Sequence, residues 1–282
     1  IYSQKKNAFF SFYAKGKASG NAYLLSHYFN PYTLVMKISL AQINTRAPKE
    51  FDKKETKEKL APILEELQEL QYLLYAENKH SLLVIMQGMD ASGKDGAIKN
   101  VFGALNPMGV HVTSFKAPTE EEAKHDFLWR IHRHAPAKGM IQVFNRSQYE
   151  DVLITRVKGW IDKDMVEKRM QAINNFEQLL EEHNNTHILK FYLHISPEEQ
   201  QERLQERISD VRKQWKYNAA DFTEAKLWDE YREAYEDCFE KCNAVPWHIV
   251  PSDQNWYKEY YIATTVLQTL KSLKMEFPQI KK

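Results

Sequence analysis

Residues 81–96 read Ser-Leu-Leu-Val-Ile-Met-Gln-Gly-Met-Asp-Ala-Ser-Gly-Lys-Asp-Gly. The apolar run Ser81 to Met86 has the character of a strand buried on both faces. It leads into Gly88, Gly93 and Gly96, three of only 9 glycines in a chain of 282 residues. Such clustering in a glycine-poor chain marks a place where the backbone adopts shapes that other residues resist. From Gly88 the spacing is G-x-x-x-x-G-K, and helical spacing follows from Lys94 to Leu105. Strand, glycine loop and helix in that order are the context that a phosphate loop requires. Gly88 and Gly93 let the main chain wrap around Ala91 and Ser92 so that N–H groups point inward at an anion. The helix beginning near Asp95 and Gly96 offers its positive end to the same anion. Lys94 adds an ammonium for terminal phosphates.

Two carboxylates depart from the common pattern. Asp95 stands where Ser or Thr usually binds Mg²⁺, and Asp90 lies inside the loop. Acids beside a polyphosphate site repel the ligand unless a cation intervenes. Mg²⁺ or Mn²⁺ is therefore expected, with Asp90 as its ligand or water-holder. Asp95 is open to a second reading, as a cap on local N–H groups of the helix.

A second apolar strand, Met140–Phe144, ends at Asn145-Arg146-Ser-Gln-Tyr-Glu150-Asp151. The end of a strand near a phosphate loop is where a metal-binding carboxylate would sit. Asn145 occupies that point and can hold a metal-bound water without adding charge. Arg146 beside it is suited to a phosphate. Glu150 either supplies the missing carboxylate or is an exposed helix acid.

Strands are also expected at Val110–Phe115, His187–Ile195 and Trp247–Val250. Amphipathic helices are expected at Thr56–Asn78, Glu120–His134, Ser147–Val157, Asp164–His183, Thr223–Asn243 and Gln254–Lys274. Ser196-Pro197-Glu198-Glu199 supplies an N-cap, a first-turn proline and a capping-box acid for a helix to about Ser209. Strands alternating with helices give an α/β fold of three αβα layers around a five-stranded, mostly parallel sheet. The stripe Trp228, Tyr231, Tyr235 and Phe239 has helical spacing and reads as packing before base stacking. Residues 1–50 are aromatic without period and read as an N-terminal extension, with 1–35 packing poorly and Met36 offering a natural start. Residues 51–282 then form the principal domain.

Lys and Arg number 39 against 38 Asp and Glu. No global field draws such a chain to nucleic acid or membrane, so an anion site must be local. No secretory or membrane segment is legible, which points to the cytoplasm. Cys238 and Cys242 read as reduced packing thiols rather than a metal or redox pair.

Two basic clusters stand out: Arg130 and Arg133 with His125, His132, His134 and Lys138, and then Arg203, Arg207, Arg212, Lys213 and Lys216. Each alone is an ordinary solvated face. Together with a phosphate loop they suit a long anion, because each phosphate of a chain wants its own cation. Residues 197–235 are placed to be a helical lid that closes over phosphates and excludes water.

From about Phe51 onward the chain resembles the polyphosphate kinase 2 family of P-loop phosphotransferases. The segments that carry the resemblance are Gly88–Gly96, Thr113-Ser-Phe-Lys-Ala-Pro118, Phe127-Leu-Trp-Arg-Ile-His-Arg-His134, Phe144-Asn-Arg-Ser147 with Tyr149-Glu150, Trp215-Lys216 and Ala244-Val-Pro-Trp247. Asn145 and Tyr149-Glu150 resemble the third class, associated with phosphorylating both AMP and ADP from polyphosphate. Val211 stands where the family's lid often has proline. The resemblance implies a P-loop kinase-like fold, a homo-oligomer (a tetramer), and polyphosphate and nucleoside mono- or diphosphates as substrates. It implies that Asp90, Lys94, Arg146 and Glu150 are catalytic, and that Asp90, Asn145 and Glu150 surround the metal. Lys116, Arg130, Arg133, Arg203, Arg207, Lys213 and Lys216 join the loop residues in holding phosphates. Two alternatives remain: an ATP-dependent nucleotide or small-molecule kinase, and a non-catalytic polyphosphate- or nucleotide-binding regulator.

Overall fold

A computed structural model describes residues 38–280. Strands β1 (Ser81–Gln87), β2 (Val110–Ser114), β3 (Ile141–Asn145), β4 (Thr186–His194) and β5 (Trp247–Pro251) form one sheet in the order β2-β3-β1-β4-β5. Every neighbouring pair is parallel, so the sheet expected to be mostly parallel is wholly so. The helices are α1 (Lys53–Glu77), α2 (Lys94–Phe102), α3 (Trp129–His132), α4 (Glu150–Val157), α5 (Lys163–Asn184), α6 (Pro197–Ser209), α7 (Ala219–Glu224), α8 (Trp228–Lys241) and α9 (Asn255–Ser272).

All residues of the central strand β1 are buried, which explains its unbroken apolar run. Its side chains alternate between two cores. Leu83 and Ile85 join Phe144, Met170 and Phe239 on the face covered by α4, α5 and α8. Leu82, Val84 and Met86 join Leu67, Val101 and Val266 on the face covered by α1, α2 and α9. Each such side chain contributes roughly 1.5–3 kcal/mol by burial, so a charge on either face of β1 would unseat the sheet. The chain leaves β1 for the β2 edge, returns through β3, and crosses to β4 on the other side. That reversal opens a crevice at the C-terminal end of β1, where the glycine loop begins.

A buried ion pair lies in the first core. Lys190 on β4 and Glu177 on α5 are both wholly buried, with Nζ 2.7 Å from Oε2. Lys190 also donates to the Tyr149 hydroxyl at 2.8 Å and the Cys242 carbonyl at 2.9 Å. Glu177 accepts from Gln148 and Tyr149 at 3.0 and 2.8 Å. The segment between Arg146 and Glu150 is thereby tied to the core through Gln148 and Tyr149.

Several expectations change. The helix expected over Glu120–His134 is a 3-10 turn at Glu122–Lys124 and the single turn α3. Thr119 and Glu122 exchange both bonds of a capping box, but Asp126 then accepts the Leu128 N–H at 3.0 Å and diverts the chain. The helix expected over Thr223–Asn243 breaks into α7, a 3-10 turn and α8. Ser196 caps α6 through the Glu199 N–H. Glu199 does not return the bond: it accepts from Arg203 Nε at 2.7 Å, and the Ser196 N–H goes to Asp253. Tyr235 and Phe239 are buried against Tyr192, and both cysteines are free and buried, so stripe and thiols are packing.

Residue 50 is not the edge of the packed domain. Leu40 is buried and donates its N–H to Glu236, His194 Nε2 donates to the Leu40 and Ile43 carbonyls at 3.1 Å, and Thr45 donates to Asp253 at 2.6 Å. The expectation for residues 1–35 lies outside the described residues.

Candidate active site

The loop after β1 takes positive φ at Gly88 (150°), Ala91 (62°) and Gly93 (89°). A Cβ on Gly88 would stand 2.8 Å from the Leu193 carbonyl oxygen, where no side chain fits. Lys94 opens α2 and folds back over the loop. Its Nζ donates to the carbonyls of Gly88 and Met89 at 2.8 and 3.1 Å and to Ser92 Oγ at 3.3 Å. Burial first, and then the Arg146 charge, pushes its pKa down to about 8.

The sign of the resulting pH effect is fixed. The ligand-free loop loses the Lys94 proton as pH rises through about 8. A polyanion favours the charged form and must reload that proton at higher pH. Its half-saturation concentration is expected to rise as pH climbs through about 8, by at most about tenfold per pH unit from this group. Binding of an inorganic polyanion measured between roughly pH 7 and 9.5 would check this. A flat profile throughout would contradict a protonated Lys94 at the anion.

Arg146 follows β3 with φ of 65° and grips two acids. It forms a close ion pair with Asp90 and donates to Glu150 Oε2 at 3.1 Å. Burial opposes ionisation of Asp90, but the charges of Arg146 and Lys94 outweigh it and hold this carboxyl below the usual range. The other oxygen of Glu150, Oε1, is buried without a hydrogen-bond partner.

Asn145 donates to Asp95 Oδ1 at 2.9 Å, and Lys216 donates to Asp95 Oδ2 at 2.8 Å. Asp95 therefore ties the segment after α6 to β3. It does not cap α2, whose N-cap is Gly93 and receives no side-chain bond. Farther along, Arg207 pairs with Asp221 and Lys213 with Glu206.

The crevice thus gathers Asp90, Lys94, Asp95, Asn145, Arg146, Glu150 and Lys216. Other expected phosphate cations are engaged by groups of the protein or stand exposed outside this cluster. Arg130 is buried, donates to the Lys116 carbonyl at 2.7 Å and lies 3.6 Å from Asp151. Arg133 is exposed and stacks on Trp129 at 4.6 Å, so the two arginines do not share a face. The Lys116 side chain is exposed. Arg203 directs its guanidinium at Glu199 and at the carbonyls of Ala91, Ser252 and Asp253.

Lys258 on α9 belongs to none of the sequence motifs. It is buried beside the loop and donates to the Ser92 carbonyl at 3.2 Å and to Asn255 at 2.9 Å. Its signal was a lysine in the apolar stripe that continues through Ile262, Val266 and Leu270.

Among the described residues no three His, Cys, Asp or Glu converge as a metal cage. Mg²⁺ does not need one: it is commonly held by one or two carboxylates, water and substrate phosphates. Asp90 and the unpartnered oxygen of Glu150 fit that donor set. Among the described residues no helix is long and apolar enough to cross a membrane.

Residues 50–278 match the family model of polyphosphate kinase 2. An AMP/ADP-polyphosphate phosphotransferase of Meiothermus ruber is 46% identical over 79% of this chain and 84% of its own length. An ADP-polyphosphate phosphotransferase of Rhodopseudomonas palustris is 42% identical over 86% of this chain and 89% of its own. The crystal structure of polyphosphate kinase 2 from Arthrobacter aurescens TC1 superposes with a TM-score of 0.84 at 43% identity, covering 87% of this chain and 89% of that one. A phosphate-loop crevice on a parallel sheet, matched over most of the chain at this identity, places the chain in the polyphosphate kinase 2 family.

Proposed function

We propose that this chain transfers the terminal phosphoryl group of inorganic polyphosphate to nucleoside mono- and diphosphates, taking AMP to ADP and ADP to ATP. The observation that carries the proposal is the convergence of Lys94 and Arg146 on a glycine loop at the sheet's reversal point, in a chain whose relatives are named for this transfer.

The acceptor phosphate oxygen is already ionised near neutral pH, so no strong general base is required. Rate enhancement then comes from alignment and from neutralising charge on the migrating group. Lys94 exchanges two loop carbonyls and the Ser92 hydroxyl for phosphate oxygens, bonds that are stronger because both partners are charged. Arg146 holds a flanking phosphate while remaining oriented by Glu150. Three cations of the expected lid each sit on a carboxylate: Arg207 on Asp221, Lys213 on Glu206, Lys216 on Asp95. A polyanion competes for these same cations, and closing over it excludes water from the transfer.

Asp90 and Glu150 would hold Mg²⁺ or Mn²⁺, with Asn145 nearby for a bound water. The ion would neutralise phosphate charge that the side-chain cations leave uncovered. A homo-oligomeric assembly belongs to the same proposal.

The test supplies AMP, ADP, GDP or UDP with polyphosphate as sole donor. ADP and ATP are expected from the first two. Phosphorylation from ATP but never from polyphosphate would favour the ATP-dependent alternative, and binding without turnover the regulator. Chelating divalent cations is expected to abolish turnover, and Mg²⁺ or Mn²⁺ to restore it. Undiminished turnover in chelator would contradict the metal assignment.

A further inference from the structure

Five consecutive loop carbonyls each accept a side-chain hydrogen bond. Lys94 takes those of Gly88 and Met89. Gln200 Nε2 donates to the Asp90 carbonyl at 3.0 Å, Arg203 to the Ala91 carbonyl at 3.0 Å, and Lys258 to the Ser92 carbonyl at 3.2 Å. Lys94 can leave the first two, because it also serves the anion. The other three donors come from α6 and α9 and are anchored. Arg203 is held by Glu199 and by the carbonyls of Ser252 and Asp253 at 2.8 and 3.0 Å. Lys258 is held by Asn255 and is only 1% exposed, so it cannot turn to meet a ligand in solution.

In a trans peptide the C=O and N–H of one plane point in opposite directions, and no described peptide here is cis. Pinning the carbonyls of Asp90 and Ser92 therefore turns the N–H groups of Ala91 and Gly93 to the other side of the loop. The approach is close: a Cβ on Gly93 would collide with the Lys258 ammonium. The φ of 89° requires glycine at 93, and any side chain there would also displace the Lys258 ammonium from behind the loop.

We infer that Lys258, together with Arg203 and Gln200, is a positioning residue that sets the phosphate loop from behind, so that its amides face polyphosphate before polyphosphate arrives. This rests on the reading of the loop as the polyphosphate cradle. It also gives Arg203 a different role from the phosphate ligand expected from sequence. Burial and the Arg203 charge push the Lys258 pKa down to about 7. The role survives loss of that proton, since a neutral amine still donates.

Lys258→Met keeps the length and removes the donor. Two readouts separate the possibilities: hydrogen exchange of the Ser92 amide, the loop N–H that the Met89 carbonyl holds at 3.1 Å in the ligand-free protein, and the half-saturation concentrations for polyphosphate and ADP with kcat. A lost donor to a buried carbonyl is expected to speed loop exchange and to raise the polyphosphate half-saturation, each about tenfold. The ADP value and kcat at saturating polyphosphate should stay within about twofold. A merely structural lesion would lower kcat through the active fraction and leave the polyphosphate value in place. Unchanged loop exchange would overturn the positioning role itself. Faster exchange with an unmoved polyphosphate value would overturn it by removing the cradle on which it rests. Gln200→Leu, which frees the neighbouring Asp90 carbonyl, should give the same pattern and serves if Lys258→Met does not fold.

Discussion

Replacing Lys94 with methionine is expected to lower kcat for ATP formation from ADP and polyphosphate by about 10²–10³-fold, the usual cost of one lost charge-stabilising group. The fold should survive. The Lys94 ammonium is buried, and that burial disfavours its charge, so the protein gives up an awkward buried cation. The Gly88 and Met89 carbonyls lose a partner, which limits any gain. Turnover and thermal melting of the same preparation check both halves. Wild-type turnover in this variant would remove the phosphate loop from the chemistry. A collapsed melting transition would give Lys94 a structural role instead.

Lys190→Met should act in the opposite way, on stability first. It leaves Glu177 buried without a cation, and breaking a buried pair from one side typically costs about 3–5 kcal/mol. At roughly 2–4 °C per kcal/mol for a domain of this kind, Tm should fall by roughly 6–20 °C. The double variant Lys190→Met, Glu177→Met removes both charges and should recover part of the loss. The recovery stays partial because Gln148 and Tyr149 still lose an acceptor. Calorimetry of the two variants decides it. A single variant that melts with the wild type would show that the pair adds nothing to the fold. Because Tyr149 directly precedes Glu150, residual activity at low temperature should also fall.

Much of this architecture was legible in sequence for definite physical reasons. A strand buried on both faces leaves an apolar run, and β1 and β4 did. A phosphate loop needs glycine at fixed spacing, and Gly88 and Gly93 showed it. The placing of Asn145, Arg146 and Glu150 beside that loop was legible because the apolar strand before them pairs with β1. Ion-pair geometry was not legible. Arg130 and Arg133 have helical spacing, but the helix lasts one turn, and the two side chains part, Arg130 toward buried Asp151 and Arg133 over the Trp129 ring. Arg203 looked like another phosphate cation because spacing cannot distinguish a guanidinium facing solvent from one facing carbonyls. Lys190 and Lys258 did leave a trace, as single lysines within otherwise apolar stripes. Reading them needed partners more than a dozen residues away, Glu177 for one and the Ser92 carbonyl for the other.

The most direct measurement is a crystal structure of this protein with a short polyphosphate and Mg²⁺. The terminal phosphates should lie within the main-chain amides of residues 88–94, with Lys94 turned off the Gly88 carbonyl and onto a phosphate oxygen. A polyphosphate chain bound elsewhere, with Lys94 still on the loop carbonyls, would contradict the assignment.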